Sequence, residues 1–317
     1  MQQPTYINEP KNFYYADEEQ KTSRLVLGTA GLGGLWGPVQ EELSIETLLY
    51  ALEQGIDRID TAASYGNAQR LMGKALRQWS GAPPFISTKI GRLEAADAHT
   101  AYTDYSSDGL RRTLEQNLKY LGLSKVDLLF LHEPQLVPIA EMERIMSVLQ
   151  DFRAEGLTDQ LGIGGNPTPE FLPFAIKENF DMVSGFLQLN AANVSGLSNG
   201  TIPTLRKRGL QYYAASPLFF GLLGSRFQEL TRAAPNEWMS AADQMAAKAL
   251  HQLSRDLGMP LPSLAQRYLF SIQEADFVVV GASNPAQMKA TLKDWKAGPL
   301  SKEIFTRINE TREKCVQ

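Results

Sequence analysis

The sequence predicts an α/β protein built as a (β/α)8 TIM barrel in a single domain, and three observations lead to this fold. Eight short apolar runs alternate along the chain with segments of amphipathic helical pattern. Such alternation is typical of a parallel sheet whose strands are joined by helices. The chain has 317 residues, which suits a barrel that typically takes about 250, and no Pro/Ser-rich linker divides it.

The expected elements follow from the apolar runs and the helical patterns between them. Strands are expected at 25–29, 56–60, 85–89, 126–132, 161–164, 184–188, 210–214 and 277–281. Helices are expected near 44–54, 69–79, 108–121, 139–155, 168–178, 201–208, 240–257, 262–271, 284–295 and 301–314. We expect residues 1–23 to form an N-terminal extension, residues 24–317 the barrel, and the long connection 218–239 to cover the barrel mouth.

Composition and charge narrow the classes of function. The formal net charge is -4 and no long block of like charge is present, which argues against nucleic acid or an anionic membrane as the main partner. The single cysteine, Cys315, excludes an internal disulfide, and the three histidines show no metal-ligand spacing, so no metal site is expected. Because the start of the chain is polar and no apolar run of about 18 residues occurs, we expect a cytoplasmic protein without a signal peptide or membrane helix.

Four residues with chemically useful side chains fall where expected strands meet the following loops. Asp60, Lys89 and His132 end three successive strands, and Tyr65 follows the first of them in Asp60-Thr61-Ala62-Ala63-Ser64-Tyr65-Gly66. In a (β/α)8 barrel the active site lies at the C-terminal ends of the strands. We therefore expect these four side chains to share one site.

This set of groups suits proton transfer. A phenol with a reference pKa of about 10 is a poor base near neutrality, and a nearby ammonium such as Lys89 lowers that pKa. Asp60 can keep Lys89 charged, and His132 can orient a substrate oxygen. Each residue taken singly also has a purely structural explanation. Asp60 could cap a loop, Lys89 could lie on the surface, His132 could make structural hydrogen bonds, and Tyr65 could pack in the core. Their joint placement favours a catalytic site.

The glycine-rich segment 28–34 does not form a dinucleotide fingerprint. Counted from Gly31, the third glycine position is Trp36, and counted from Gly28, the second is Ala30. Because the spacing fails, we interpret the segment as a flexible loop near the pocket.

From about Leu25 to Trp295 the sequence resembles the aldo-keto reductases. Besides the four residues above, the matching segments are Gly28-Thr29-Ala30, Leu118 to Leu123, Gly162-Ile163-Gly164-Gly165-Asn166, Ser216-Pro217-Leu218 and Val280-Gly281-Ala282-Ser283. Asp104-Tyr105-Ser106 and Gly221-Leu222-Leu223 resemble the branch that contains aldose and L-galactose dehydrogenases and pyridoxal dehydrogenases.

The resemblance implies an NAD(P)-dependent oxidoreductase that interconverts a carbonyl (aldehyde, ketone or aldose) and an alcohol. Tyr65 would be the general acid/base, Lys89 its pKa depressor, Asp60 the lysine partner and His132 the substrate orienter, with Trp36, Tyr65 and His132 contacting substrate. The residues implied for the cofactor are Gly28, Thr29, Asp60, Asn166, Gln188, Ser216, Pro217, Leu218, Gly221, Gly281, Ala282, Ser283 and Gln287.

Several positions depart from the family pattern. Ala215 stands where many members place a tyrosine that stacks on the nicotinamide, and Phe219 or Tyr213 is the expected substitute. Gln287 occupies a position often held by an arginine, whose loss would remove a strong partner of a 2′-phosphate. The expected cofactor is NADP(H) or NAD(H), with a slight family preference for NADP.

Two other readings compete with the oxidoreductase. A nicotinamide-binding regulatory subunit with little turnover would also retain the four residues. A different barrel enzyme could use Lys89 as a Schiff-base nucleophile. The substrate beyond a small carbonyl compound or sugar, the direction of reaction and the oligomeric state are left open by the sequence.

Overall fold

The structure is a computed structural model that describes residues 24–94 and 102–315. The expected N-terminal extension, residues 1–23, lies outside these ranges. Strands in the described ranges are β1 (Leu25–Gly28), β2 (Arg58–Asp60), β3 (Phe85–Ile90), β4 (Arg92–Leu93), β5 (Tyr102–Thr103), β6 (Val126–His132), β7 (Thr158–Gly164), β8 (Met182–Phe186), β9 (Gln211–Ala215) and β10 (Phe277–Gly281).

Eight of these strands close a parallel barrel, which confirms the predicted (β/α)8 fold. Their order around the barrel is β1, β10, β9, β8, β7, β6, β3 and β2, and the strand pairs are parallel. β4 and β5 form a separate antiparallel ribbon after β3 that the sequence did not predict. All barrel strands therefore point their C-terminal ends at the same mouth.

Helices surround the barrel, and none in the described ranges combines the length and apolar character needed to cross a bilayer. They are α1 (Glu41–Glu53), α2 (Ala68–Gln78), α3 (Ser107–Leu121), α4 (Met142–Ala154), α5 (Ser195–Ser198), α6 (Thr201–Lys207), α7 (Phe227–Leu230), α8 (Ala241–Asp256), α9 (Leu261–Phe270), α10 (Pro285–Lys296) and α11 (Lys302–Glu313).

The prediction of a helix at 168–178 is wrong. Only a single 3₁₀ turn, Leu172–Phe174, forms there. Pro169 and Pro173 supply no backbone N–H, and a proline ring clashes with the preceding helical turn. The apolar side chains of the segment are still used, because Phe171 is fully buried.

The barrel interior is filled by side chains and is not a channel. Its residues are Val26, Leu128, Phe130, Met182, Tyr213 and Val279. At the N-terminal end of the strands, the guanidinium carbon of Arg58 lies 4.2 Å from the ring centroid of Phe85 and 4.5 Å from that of Phe277. In barrels of this type the active site lies at the opposite, C-terminal mouth.

Backbone strain in the described ranges is concentrated at this mouth. The non-glycine residues with left-handed φ values of 47–63° are Glu133, Leu187, Ser216, Phe219 and Phe220. Every one of them lies in a segment that directly follows β6, β8 or β9. Such conformations cost on the order of 1–3 kcal/mol each and cluster at functional sites.

Gly33 allows the loop after β1 to approach the loop after β2 that carries Tyr65. A Cβ atom at Gly33 would stand 1.9 Å from the Tyr65 carbonyl oxygen and 2.7 Å from the Ala68 Cβ. We expect Gly33→Ala to lower the free energy of unfolding by about 2 kcal/mol, because overpacking forces the two loops apart. Urea denaturation measures the loss.

Gly281→Ala is the matched control, since a Cβ there meets nothing within 4 Å. Equal losses in the two variants would contradict the close approach of the two loops.

Candidate active site

A buried ion pair joins the ends of β2 and β3. The Lys89 ammonium donates to Oδ2 of Asp60 at 2.6 Å and to the carbonyl oxygen of Thr61 at 2.8 Å. Both side chains are at most 5% exposed. Ser87 donates its hydroxyl proton to the other Asp60 oxygen at 2.8 Å. Each carboxylate oxygen therefore has a donor, which a buried charge requires.

The register of the strands brings these groups together. Asp60 pairs with Ser87 in the parallel β2–β3 ladder. Because side chains two residues apart lie on the same face of a strand, Lys89 lies on the same side as Ser87. The N–H and hydroxyl of Thr29 both donate to the Asp60 carbonyl oxygen at 3.0 Å, which ties β1 to the pair.

Lys89 is a charged ammonium in this site. Burial lowers its pKa, but the Asp60 carboxylate, the Tyr65 oxygen and hydrogen bonds to both raise it further, so the net pKa lies above the ordinary value. A Schiff-base nucleophile must be a neutral amine. The geometry therefore disfavours the reading of Lys89 as a nucleophile.

Tyr65 lies against both Lys89 and His132. Its ring centroid is 4.7 Å from the Lys89 Nζ atom and 6.2 Å from the His132 ring centroid, in an edge-to-face arrangement. Burial raises the pKa of the phenol, and Lys89 lowers it by a smaller amount, so the net pKa lies above the ordinary value. The expected effect of Lys89 is present, but burial outweighs it, and the phenol is protonated near neutral pH.

His132 ends β6 with an imidazole that is 6% exposed. Burial, then Lys89 and Arg92, lower its pKa well below the ordinary value. Within the described ranges its Nδ1 atom is buried and makes no hydrogen bond. A neutral imidazole has one N–H, which can donate a hydrogen bond to a substrate oxygen.

These three groups can move one proton without creating an unpaired charge. Tyr65 holds the proton, Lys89 stabilises the phenolate that remains after its transfer, and His132 can orient the oxygen that receives it. Asp60 keeps Lys89 charged throughout. The four residues that the sequence placed in one site are thus brought together at the mouth.

One wall of the mouth is aromatic. The ring centroids of Trp36 and Phe220 are 5.2 Å apart, those of Phe220 and Phe186 are 6.4 Å apart, and those of Phe186 and Trp238 are 5.7 Å apart. Trp36 is 51% exposed, so it lies at the mouth and not in the core. Sequence reasoning missed the other three, although Phe186 is an aromatic residue at a strand end and Phe220 and Trp238 lie in the connection expected to cover the mouth.

The expected substitutes for the nicotinamide-stacking tyrosine lie elsewhere. Tyr213 is fully buried in the barrel, with its ring centroid 5.0 Å from that of Phe277 at the start of β10. Phe219 is 1% exposed and belongs to the core between barrel and helices. Neither ring reaches the mouth.

The residues implied for a cofactor lie at or just beyond the C-terminal ends of six strands. They are Gly28 and Thr29 at the end of β1, Asp60 at the end of β2, Asn166 after β7, Gln188 after β8, Ser216, Pro217, Leu218 and Gly221 after β9, and Gly281, Ala282, Ser283 and Gln287 at the end of β10 and in the first turn of α10. The structure places all of them at the C-terminal edge of the barrel.

Local geometry at this edge fits a dinucleotide. The Asn166 amide is held in place by donating to the Phe186 carbonyl oxygen at 2.9 Å and accepting from its N–H at 3.1 Å. The Cβ position of Gly281 is open, which permits close approach of a ligand to the backbone. The N-terminus of α10, capped by Asn284, can attract a phosphate.

Two residues beside Asp60, Tyr65, Lys89 and His132 were not predicted from the sequence. Arg92 of β4 and Glu133, the residue after His132, form an ion pair at 2.5 Å. Their only sequence signals are positions close to strand ends, since Arg92 lies three residues after Lys89 and Glu133 directly follows His132. A charged residue so close to a strand end lies near the site for any conformation of the following loop.

The lowered pKa of His132 makes stability depend on pH. The unfolded chain binds a proton at this residue below pH about 6.5 and the folded chain does not, so the stability is full above that pH and is lost below it. We expect the free energy of unfolding to fall by up to about 1.4 kcal/mol per pH unit in this range, and to fall less steeply in His132→Gln.

Urea denaturation at a series of pH values from 7 to 5 measures both slopes. His251→Gln, which removes an imidazole whose ring centroid lies 4.3 Å from that of Phe227, is the control for loss of a histidine elsewhere. Parallel curves for the wild-type protein and His132→Gln would contradict a neutral, buried His132.

Comparison with known proteins agrees with this geometry. The chain is 28% identical over 282 residues to an L-galactose dehydrogenase from Arabidopsis thaliana, which covers 85% of this chain and 83% of that protein. It is 28% identical over 306 residues to a D-arabinose 1-dehydrogenase from Saccharomyces cerevisiae, covering 92% and 87%. The structure of a glycerol dehydrogenase from Gluconobacter oxydans superposes with a TM-score of 0.73 at 22% identity, covering 92% of both chains. Residues 24–313 match the model of the aldo/keto reductase family, and the chain belongs to that family.

Proposed function

We propose that Tyr65 is the general acid/base of this NAD(P)-dependent oxidoreductase, with Lys89, Asp60 and His132 as its partners. The chain's family carries out carbonyl–alcohol interconversion. The observation that carries the assignment of Tyr65 is its position against the buried Lys89–Asp60 pair, at 4.7 Å from the Lys89 Nζ atom.

Each residue has a defined part in the reaction. In reduction, the Tyr65 phenol donates its proton to the carbonyl oxygen while His132 hydrogen-bonds that oxygen. Lys89 then stabilises the phenolate. In oxidation, the Tyr65 phenolate removes the hydroxyl proton. Because burial raises the pKa of Tyr65, oxidation should gain from alkaline pH, whereas reduction uses the form present at neutrality.

When bound, the nicotinamide cofactor supplies or accepts the hydride. Asn166 and Gln188 would hold its carboxamide, and the segments 216–221 and 281–283 would lie along its phosphates. Thr29, with its hydroxyl committed to the Asp60 carbonyl oxygen, supports the position of Asp60.

We propose an aldose as the substrate. The mouth has an aromatic wall that includes Trp36 and Phe220 and a polar side formed by Tyr65 and His132. Pockets that combine apolar surface with a few placed polar groups fix the orientation of a small ligand, and a sugar offers both C–H and hydroxyl surfaces. The relatives from Arabidopsis and yeast are named for sugars, which supports the same class.

For the cofactor, the residues of α10 favour NAD(H), against the slight preference for NADP(H) drawn from the resemblance. The Gln287 side chain accepts a hydrogen bond from the Ser283 N–H at 2.8 Å. The Lys289 ammonium lies 5.7 Å from the Tyr50 ring of α1, and so points toward that helix. The first turn of α10 thus offers neutral groups where a 2′-phosphate would need a cation.

The first test concerns Tyr65. Tyr65→Phe removes the exchangeable proton but keeps the ring, so we expect cofactor binding within about threefold of wild type and a loss of turnover of about a hundredfold or more. Absorbance of the reduced nicotinamide during turnover with a panel of aldoses and aldehydes measures the rate, and fluorescence titration measures binding.

Tyr120→Phe is the matched control, because it removes a phenol on α3 that accepts a hydrogen bond from Arg70. Wild-type turnover in Tyr65→Phe would remove Tyr65 from the reaction. Cofactor binding without turnover on any substrate, in the wild-type protein, would favour the regulatory subunit.

The second test concerns the cofactor. We expect a lower KM for NADH than for NADPH, and we expect Gln287→Arg to lower the KM for NADPH about tenfold, since a guanidinium binds phosphate in a bidentate manner. Steady-state kinetics with both cofactors measures the ratio. Gln252→Arg, which adds the same charge on α8, is the control, and a wild-type preference for NADPH would overturn the proposal.

A further inference from the structure

A second buried ion pair lies beside the four active-site residues. The Arg92 guanidinium donates to Oε1 of Glu133 at 2.5 Å, and the two side chains are 19% and 7% exposed. The Gln135 amide donates to the other carboxylate oxygen. The Glu133 carboxylate therefore has a donor at each oxygen, and a buried carboxylate is retained only with such partners.

The backbone that carries Glu133 is held in place by several bonds. Its φ of 57° is left-handed, a conformation that costs on the order of 1 kcal/mol or more for a non-glycine residue. The Tyr105 hydroxyl lies 2.7 Å from the His132 carbonyl oxygen and 3.1 Å from that of Glu133. The Glu133 N–H donates to the Gly164 carbonyl oxygen at 2.9 Å. The position of this carboxylate is thus fixed by the fold.

The same carboxylate oxygen that binds Arg92 lies close to the active-site imidazole. Oε1 of Glu133 is 4.0 Å from Nε2 of His132, which is beyond hydrogen-bond distance. An unpaired carboxylate so near an imidazole would attract its N–H and favour the imidazolium. Arg92 occupies that oxygen instead.

We propose that Arg92 is a positioning residue that holds the Glu133 carboxylate away from His132 and so leaves the imidazole free to bind the substrate oxygen. The charges of Arg92 and Glu133 cancel, so the ion pair has no net charge. Removal of Arg92 would release a carboxylate that competes with substrate for His132. The part of this inference that concerns substrate rests on the proposed function of His132.

Among the residues that the structure describes, the charged and titratable groups that face His132 come from four segments. They are Tyr65 from the loop after β2, Lys89 from β3, Arg92 from β4 and Glu133 from the end of β6. After burial, Lys89 and Arg92 are the causes that lower the pKa of the imidazole. Loss of Arg92 removes one of these cations and frees the carboxylate, and both changes raise that pKa.

The decisive experiment is an NMR titration of the histidines in the cofactor-free protein, with His132→Gln used to assign the His132 signals. We expect Arg92→Met to raise the pKa of His132 by about one unit or more, since an opposite charge at about 4–6 Å shifts a pKa by that order. The double variant Arg92→Met/Glu133→Gln should return the pKa toward the wild-type value, and Arg92→Lys should stay closest to it. Arg111→Gln, which breaks the exposed Arg111–Glu155 pair, is the matched control.

Kinetics add a second readout. At neutral pH we expect Arg92→Met to raise the KM for substrate several-fold while kcat changes less, because the released carboxylate competes for the imidazole in the free enzyme. The NMR titration needs no turnover. A failure of the proposed catalytic function would therefore not disturb the titration, and an unshifted titration in an active enzyme would count against Arg92 alone.

Arg92→Met may be replaced by Arg92→Gln if it does not fold, because the amide can still donate to Glu133 while carrying no charge. A smaller upward shift is expected there, because the cation is lost while the carboxylate is still held. A His132 pKa that is unchanged in a folded Arg92 variant without the charge, or one that is as high in the double variant as in Arg92→Met, overturns the proposal.

Discussion

The buried Lys89–Asp60 ion pair is the constraint on which the site depends. Taking two charges out of water costs several kcal/mol per ion, and the fold offsets that cost with a contact of 2.6 Å and with donors or acceptors from Thr61 and Ser87. The pair requires β1, β2 and β3 in register, because Thr29 and Ser87 both bind Asp60. The pair keeps the Lys89 ammonium charged, 4.7 Å from the Tyr65 ring centroid. A phenolate formed away from water would need such a cation beside it.

The mouth divides into two halves with different chemistry. The loops after β2, β3 and β6 supply Tyr65, Lys89, Arg92, His132 and Glu133, whereas the loops after β1, β8 and β9 supply aromatic rings. Charges of opposite sign are paired in the first half, so the imidazole is left neutral between two ion pairs. In the proposed function, a substrate that enters between the halves meets apolar surface on one side and the Tyr65 phenol on the other.

Local sequence patterns failed where tertiary contacts or prolines decided the structure. The amphipathic pattern of 168–178 resembles a helix, but Pro169 and Pro173 limit it to one turn. Tyr213 could be assigned to the mouth from its place near Ala215. It shares the inward face of β9 with Ala215 but lies two residues further from the C-terminal end, so its ring fills the barrel interior. Lys89 lowers the pKa of Tyr65 as expected, but a sequence shows which cation is near and not how far burial outweighs it.

The sequence by itself determined the (β/α)8 barrel, the family, and the four residues Asp60, Tyr65, Lys89 and His132, because strand-end positions in a barrel converge on one mouth regardless of loop detail. Only the tertiary structure decided which neighbours those residues meet. The Arg92–Glu133 pair joins residues 41 positions apart, and the cluster of Trp36, Phe186, Phe220 and Trp238 draws on the end of β8 and on the segments after β1 and β9. Contacts of this kind depend on how the loops fold over the barrel. The hydrophobic periodicity of the sequence predicts strands and helices but not the conformation of loops.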